Sequence, residues 1–594
     1  GGPQQPDGTA TLRCGAGAPA AAAWLLLRPT MPGAAAARLE ARLRALPAGA
    51  IGEDRGDLAG AAWAADALGC PAPPSLPAFS PPAGARVVGA WACGAAVALG
   101  GEGALHAVDV AVRLPAGLLQ ARDFLDHRYF LKRGLYLHAL GRRLRGDAEF
   151  LETVGSVSGV VFWPWRDPRK PCLELRCRLP EGQRVRVVLR PSIAADNFPA
   201  AKLRPDRCNL RNVASASEAL PDWTKPSSPG EASPATSSTP HYTHALLEDA
   251  LQEDLADYLA ASGPLLGPAA ALLKVWAHAQ FVGAAAGALG GFELTALAAD
   301  TLRAYPLLAG APGASPLDVA RCALQRLASP AFAEGGRMQP PGGPGDGPPA
   351  ADHLLDRFRR QFPGGFVLLD PSGRANVLAR ARPAALRRLA DAAGRAARSL
   401  AAVLRPGGRL AGGGPALHAA FDALLVRRLR FGSAFDFAFQ VRLPDLRENG
   451  SGPAPRCAAD RPRAELEELR VEEVLRLALG PRAAFVCALP RGAAGPAAGG
   501  GAVRVGVVVD PEHLAAPTDV GPDGADRGRG RLFRQFWGDL AELRRFRDGR
   551  IAEAVAWDAP PAERALGCLV PRAAEAALAR HFPGAAVSCL SAPL

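Results

Sequence analysis

The chain has 594 residues, 48% of them hydrophobic but only 6% aromatic, with a formal net charge of +12. That length is too great for one core and predicts roughly three to five domains, with ample apolar surface to bury. The most apolar stretch, 264–299, is broken by Lys274, His278 and Glu293, which argues against a membrane span.

The charge is carried almost wholly by arginine, since only five of the 69 basic residues are lysines. Arginine's planar fork suits phosphate, so the balance points to a polyanionic partner, discounted because Ala, Gly, Pro and Arg are enriched throughout. Eleven cysteines occur without a Cys-x-x-Cys pair, and buried reduced thiols are expected rather than zinc ligands or disulfides. The closest pair, Cys172 and Cys177, falls near one strand.

Residues 1–83 form an Ala-, Pro- and Gly-rich N-terminal extension, partly helical or disordered, with one helix expected near 36–46. From Ala85 the pattern changes. ARVVGAWA reads as a strand, a Gly-rich connection follows, and AVDVAVRLP alternates as a second strand stopped by Pro115. Residues 121–145 read as one helix, with Phe130, Leu137, Leu140 and Leu144 on one face and Arg128, Lys132, Arg142 and Arg143 opposite. Leu131 and Leu135 spoil that division. Strand candidates at SGVVFW, CLELRCRL and RVRVVLRP complete a compact α/β unit over 84–208.

Residues 209–243 are dense in Ser, Pro and Thr and read as a linker too poor in apolar residues to pack. Residues 244–335 show 3.6-residue recurrence throughout and predict a helical domain, ended by a Pro/Gly linker over 336–352. A third α/β domain is expected over 353–558. It closes on a long aromatic run in which Phe533, Phe536, Trp537, Leu540 and Leu543 would form the apolar stripe of one helix, with Arg534 and Arg545 on its flank. Such a stripe is expected to be core. Residues 559–594 would begin a further unit, and the start at Gly1 and the stop just after a helix-like run suggest a piece of a longer chain. The expected class is a multidomain α+β fold.

A strand, a glycine connection and a second strand bearing an acid is how nucleotidyltransferase folds present a nucleotide to two metal ions. That chemistry needs two carboxylates at i and i+2 on one strand and a third on a neighbour, because magnesium demands oxygen ligands. Here Asp109 stands alone between Ala107 and Ala111, and Gly89 is followed by Ala90 where a hydroxyl could hold phosphate. The neighbouring strands offer Glu174 at best, and the edge where a third acid belongs reads Arg184, Val185, Arg186, with Arg190 beyond. Cations there would repel magnesium. No metal, cofactor or catalytic residue is therefore expected. His241 and His244, near a helix start, are read as solvated or capping.

The run FRQFWGDLAELRRFRDGRIAEAVAW, Phe533 to Trp557, resembles the FRQFWG…SELRRFQDG…EAVVWE signature of the Nrap family. FVLLDPSGRANVLARA at 366–381, ALLKVWAHAQ at 271–280, RYFLKRGLYLHAL at 128–140 and the segments from Ala85 and Asp109 resemble that family in the same order. The resemblance implies a nucleotidyltransferase-like domain, a helical domain like that of poly(A) polymerases, a third α/β domain, and a repeat of the first two that 559–594 would open. It also implies lost transferase catalysis, a nucleolar location, and work in the small-subunit processome. Implied partners are pre-ribosomal RNA and small nucleolar RNP, ribosomal RNA processing protein 7 and the UTP-C components. Expected RNA contacts are Arg128, Lys132, Arg142, Arg143, Arg534 and Arg545; a protein-only adaptor and an active RNA nucleotidyltransferase remain as alternatives.

Overall fold

The computed structural model of the chain describes residues 33–46, 64–71, 79–97, 99, 106–154, 160–162, 167–178, 184–211, 222–224, 238–310, 314–338, 352–362, 364, 366–403, 415–444, 460–491 and 502–590. The α+β class expected from the sequence is what it shows.

The first unit runs α1 (Gly33–Arg44), β1 (Gly84–Val88), β2 (His106–Arg113), α2 (Arg128–Gly146), β3 (Val160–Phe162), β4 (Cys172–Arg178) and β5 (Arg184–Ser192). The strands form one sheet in the order β1-β2-β5-β4-β3, in which only β2 and β5 pair in parallel. Period-2 alternation puts Val108, Val110, Val112, Leu173, Leu175, Val187 and Leu189 on one buried face, in one core with α2. Burying side chains of this size contributes about 1.5–3 kcal/mol each.

Two expectations about this unit need correction. The helix starts at Arg128, not at 121, because Asp126 and His127 take φ of 51° and 62°, a left-handed conformation that no α-helix can run through. Nor is it two-faced: twelve of its 19 residues are buried, Leu131 and Leu135 among them, because it is wrapped on several sides. Part of the wrapping comes from the N-terminal extension. Leu39 and Leu43 of α1, Leu46 just after it, Ala64, Leu68 and Phe79 all join this core, Phe79 stacks on Tyr136 at 5.4 Å, and Arg42 grips Asp147 at 2.6 Å. The described parts of 1–83 are thus structural.

α3 (Pro240–Ala250) packs Tyr242, Ala245, Leu246 and Leu247 into the first core, which therefore extends past 244, where the sequence places the start of the helical domain. The second unit contains α4 (Gln252–Ala260), α5 (Leu266–Ala279), α6 (Gly291–Ala304), α7 (Pro316–Ala328), α8 (Asp352–Gln361) and α9 (Pro383–Val403). Ser315 starts α7 with a capping box: its Oγ accepts from the Asp318 N–H at 3.3 Å, and the Asp318 carboxylate accepts from the Ser315 N–H at 3.2 Å. Leu386, Leu389, Ala393 and Ala396 of α9 share a core with α5, α6 and α7. Residues 383–403 therefore belong to this helical module rather than to the third domain, because their stripe of small side chains finds its partner there.

The third unit runs β6 (Phe437–Arg442), α10 (Arg463–Leu479), β7 (Ala483–Leu489), β8 (Ala502–Val509), β9 (Thr518–Asp523), α11 (Arg527–Trp537), β10 (Glu542–Arg545), β11 (Ile551–Ala556), α12 (Leu569–His581) and β12 (Ala586–Cys589). It holds a four-stranded sheet, β12-β6-β8-β7, and a three-stranded sheet, β9-β11-β10. Residues 559–594 do not begin a separate unit in their described part. Val570, Ala573, Ala574, Ala577 and Leu578 of α12 fill the third core, and β12 pairs with β6 from Ala586 to Cys589.

The long aromatic run is likewise not one helix. Gly538, at φ 60°, ends α11, and the chain then folds into the β10–β11 hairpin. Phe533, Phe536 and Trp537 are buried as expected, whereas Leu540 and Leu543 lie outside the helix and are 45% and 59% exposed. Trp223, inside the segment read as a linker, is buried against Phe533 and Phe536 at 5.0 and 4.8 Å. Asn209, Leu210, Thr239, Tyr242 and Thr243 of the same segment are buried too, so its described parts are packed rather than linker; residues 212–221 and 225–237 lie outside the described residues.

Candidate functional site

On β2 the face opposite the core carries Ala107, Asp109 and Ala111, and the parallel register sets them beside Arg186, Val188 and Arg190 of β5. Beyond Val188 comes Glu174 on β4. Both acids of this face are held by guanidinium groups: Arg190 donates its Nε–H to Asp109 Oδ1 at 2.7 Å, and Glu174 lies 3.5 Å from Arg176 and 3.6 Å from Arg186. A guanidinium thus occupies the position where a third metal-binding carboxylate would have to converge. Among the described residues, the group whose side chains could close round one ion is Asp510, Glu512 and His513, partly exposed and on the loop after β8, not at this face.

The glycine connection sits directly over Asp109. Gly89 takes φ 70°, and a Cβ there would stand 3.2 Å from Asp109 Oδ2, so the position is fixed as glycine by conformation and space together. The turn that follows, through Ala90 and Cys93, is covered by α5. A Cβ on Gly267 would lie 2.7 Å from the carbonyl oxygens of both Cys93 and Gly94, and the Lys274 ammonium donates to the Ala95 carbonyl at 2.8 Å. α4 closes the same side: Ala256 packs on Val88 and Ala111, Arg86 pairs with Asp257, and Arg113 with Glu253. The carbonyls of Cys93, Gly94 and Ala95 thus face α5.

Burial pulls the Lys274 ammonium down to about 8, against the opposing pull of Cys93, Asp109 and Glu293. A native value below the unfolded one means that the fold gains stability as pH rises from about 8 toward the ordinary lysine range, and loses it again on the way down. At about 1.4 kcal/mol per pH unit the span is worth about 3 kcal/mol. Urea unfolding of the wild type and Lys274→Met is expected to show the wild type gaining roughly 2–3 kcal/mol on the variant between pH 7.5 and 10. A gap that does not move with pH would remove the buried ammonium from the account.

Between the three units lies an open cleft whose walls include Asp167, Arg169, His241, Glu293, Arg380 and Arg491. Its cations are matched by acids: Arg169 with Asp167 at 2.9 Å, Arg380 with Glu248, and Arg491 with Glu468 at 3.3 Å. His244 also lines it, 3.4 Å from Glu248, and His241 packs edge-on to Phe362, its imidazole held well below the usual range by burial. Neither histidine is solvated or capping, which corrects the sequence reading. They are wall residues because α3 is buried against both neighbouring units.

The expected RNA-contacting side chains are scattered. Arg128 is exposed at the first turn of α2, but Lys132 is tied to Asp123 and the Leu118 carbonyl at 2.8 and 2.9 Å, and Arg143 lies over Phe79 at 4.4 Å. Arg142 is half-buried. Arg534 is 3.2 Å from the buried Glu553, and Arg545 is exposed on the edge strand β10. Two residues of evident weight escaped sequence reading, Lys274 as a tie to the glycine loop and Arg190 as the partner of Asp109.

The profile of Nrap protein domain 1 matches residues 75–263, and that of Nrap protein domain 3 matches residues 431–582, together more than half of the chain. The chain belongs to the Nrap family. Its relatives include Nucleolar protein 6 of Homo sapiens, 29% identical over 506 residues, which are 81% of this chain and 39% of that protein. Nucleolar protein 6 of Drosophila persimilis is 46% identical over 70 residues, 11% of this chain and 6% of the relative. The chain thus spans about two fifths of the length of the vertebrate members it matches. The expected nucleolar location agrees with the name these relatives carry. Among solved structures, Cid1 in complex with its short product ApU aligns at TM-score 0.31 and 12% identity, covering 58% of this chain and 86% of that one. The polymerase core of TRAMP aligns at 0.29 and 13%, covering 54% and 74%.

Proposed function

We propose that this Nrap-family chain is a non-catalytic scaffold of the small-subunit processome, binding pre-ribosomal RNA and protein during pre-rRNA processing and 40S subunit assembly in the nucleolus. The observation that carries this reading is the Asp109–Arg190 ion pair, with alanine at both i−2 and i+2 of the single acid. Two divalent ions in this position would face one carboxylate and one fixed positive charge, and the Coulomb term then opposes binding. The seal of α5 over the glycine loop points the same way. With the glycine loop covered, the surface is left for recognition, and small nucleolar RNP, ribosomal RNA processing protein 7 and the UTP-C components are the partners of this reading.

The test is incubation of the chain with an RNA primer and labelled nucleoside triphosphates in magnesium or manganese. No extension above background is expected in either metal. Extension that disappears in Asp109→Ala would restore the enzyme reading and reject this one.

A further inference from the structure

We infer that a cationic and aromatic face where the helical module meets the third unit takes single-stranded RNA, an inference that rests on the RNA-binding reading above. The face is assembled from the C-terminal end of α5, the segment Leu424–Phe435, α9 and β8. The Leu429 N–H donates to the Ala279 carbonyl at 2.8 Å, and the Gln280 amide donates to the Ala423 carbonyl at 2.8 Å, which fix the segment on the end of α5.

Three rings meet there. Phe281, Phe431 and Phe435 form a triangle with centroid separations of 6.3, 6.2 and 5.7 Å. Two guanidinium groups lie on it, Arg388 over Phe435 at 4.4 Å and Arg504 over Phe431 at 5.4 Å. Arg388 is anchored by donating to the carbonyls of Phe281 and Ala434 at 2.6 and 3.1 Å. Burial holds the guanidinium groups of both Arg388 and Arg504 below the usual arginine range.

Around the triangle stand Arg427, Arg428 and Arg430, all exposed. Arg430 is engaged only within its own turn, with Ser433, and among the described residues none of the three is paired with an acid, whereas most other arginines discussed above are. Asp436, the acid next to Phe435, is already engaged by the Val509 N–H at 2.9 Å. Unspent positive charge is therefore concentrated here.

A separate observation is backbone strain. Phe281 closes α5 at φ 52°, a left-handed position that glycine normally takes, while the Val282 N–H bonds back to the Ala277 carbonyl at 2.9 Å. A phenylalanine there costs on the order of 1–2 kcal/mol. The fold retains it, and the ring it places completes the triangle.

Exposed guanidinium groups suit phosphates, and the half-buried Phe281 and Phe431 rings, set on the buried Phe435 and flanked by Arg504, suit an unstacked base. A duplex would satisfy the charges and leave the rings unused. An acidic peptide would do the same, which is why RNA is the favoured occupant.

The test uses the full chain, a labelled single strand of about 20 nucleotides and a duplex of the same length, read by fluorescence anisotropy over a salt series. Arg427→Ala/Arg428→Ala/Arg430→Ala is expected to bind the single strand roughly tenfold or more weakly, and to flatten the log–log salt slope by about 2. Phe431→Ala is expected to weaken the single strand by roughly 5- to 50-fold and the duplex far less. The three arginines are exposed, so the triple variant should melt like the wild type. If the wild type binds but the triple variant keeps its affinity and slope, this face is excluded while the RNA reading survives. If the wild type binds no RNA at all, the parent reading falls and this inference with it. Equal loss on single strand and duplex with Phe431→Ala neutral, or displacement of the RNA by polyglutamate at equal charge, would also overturn it.

Discussion

Replacing Asp249 with alanine is expected to destabilise the chain by about 3–5 kcal/mol, the range for removing one partner of a buried ionic cluster. Asp249 bridges two buried cations: it accepts from Arg133 Nε at 2.7 Å, from the Lys170 ammonium at 2.6 Å and from the Tyr129 hydroxyl at 2.8 Å, while Glu248 lies 3.2 Å from the same ammonium. Arg133 and Tyr129 sit on α2 and Asp249 on α3, so the cluster ties the two helices across their interface in the first core. The alanine variant would leave Arg133 desolvated and without its acid, and Lys170 with Glu248 alone at 3.2 Å. Burial opposes ionisation of Asp249, but Arg133 and Lys170 overcome it and keep the carboxyl below the ordinary carboxylate range. The sign follows. With the native value depressed, the contribution is present at neutral pH and is lost as pH falls through the native value. Urea titrations at pH 7 and at a pH below the ordinary aspartate value should therefore show the gap between wild type and variant narrowing only in that acid range. An Asp249→Ala chain as stable as the wild type at pH 7 would remove the cluster from the interface argument.

Phe536→Ala is expected to cost about 3–5 kcal/mol, while Leu543→Ala stays within about 0.5 kcal/mol of the wild type. Phe536 is fully buried among Trp223, Trp537 and His581, with centroid separations of 4.8, 5.1 and 4.4 Å. Its removal opens a cavity that two tryptophans are too rigid to fill. Leu543 points outward from an edge strand and removes little apolar surface from water. The pair separates the two halves of the aromatic run by thermal or urea unfolding. Equal effects at both positions would revive the single continuous helix that the sequence suggests.

Much of the Asp109 face was legible in advance, because strand alternation alone tells which residues share its side. Ala107 and Ala111 follow at once from period 2. That Arg190, rather than Arg186, pairs with Asp109 depends on the parallel register of β2 and β5, which no local pattern encodes. The basic stretch Arg427–Arg430 was visible as letters but not as a site, since its aromatic partners Phe281 and Phe435 come from α5 and from the start of β6.

Local propensity and periodicity by themselves determined the class of the fold, the strands of the first unit, the helical character of the second, and the shortage of carboxylates. These are properties of neighbouring residues, fixed by backbone geometry and side-chain size. Only tertiary structure decided where each unit ends, because α9 and α12 carry apolar stripes that would suit any neighbour and are assigned by the core that receives them. It alone also made α2 a buried helix, bent the aromatic run at Gly538, and set Lys274 against the glycine loop. Each of these turns on contacts between segments far apart in the chain, whose free energy depends on packing and desolvation rather than on sequence spacing.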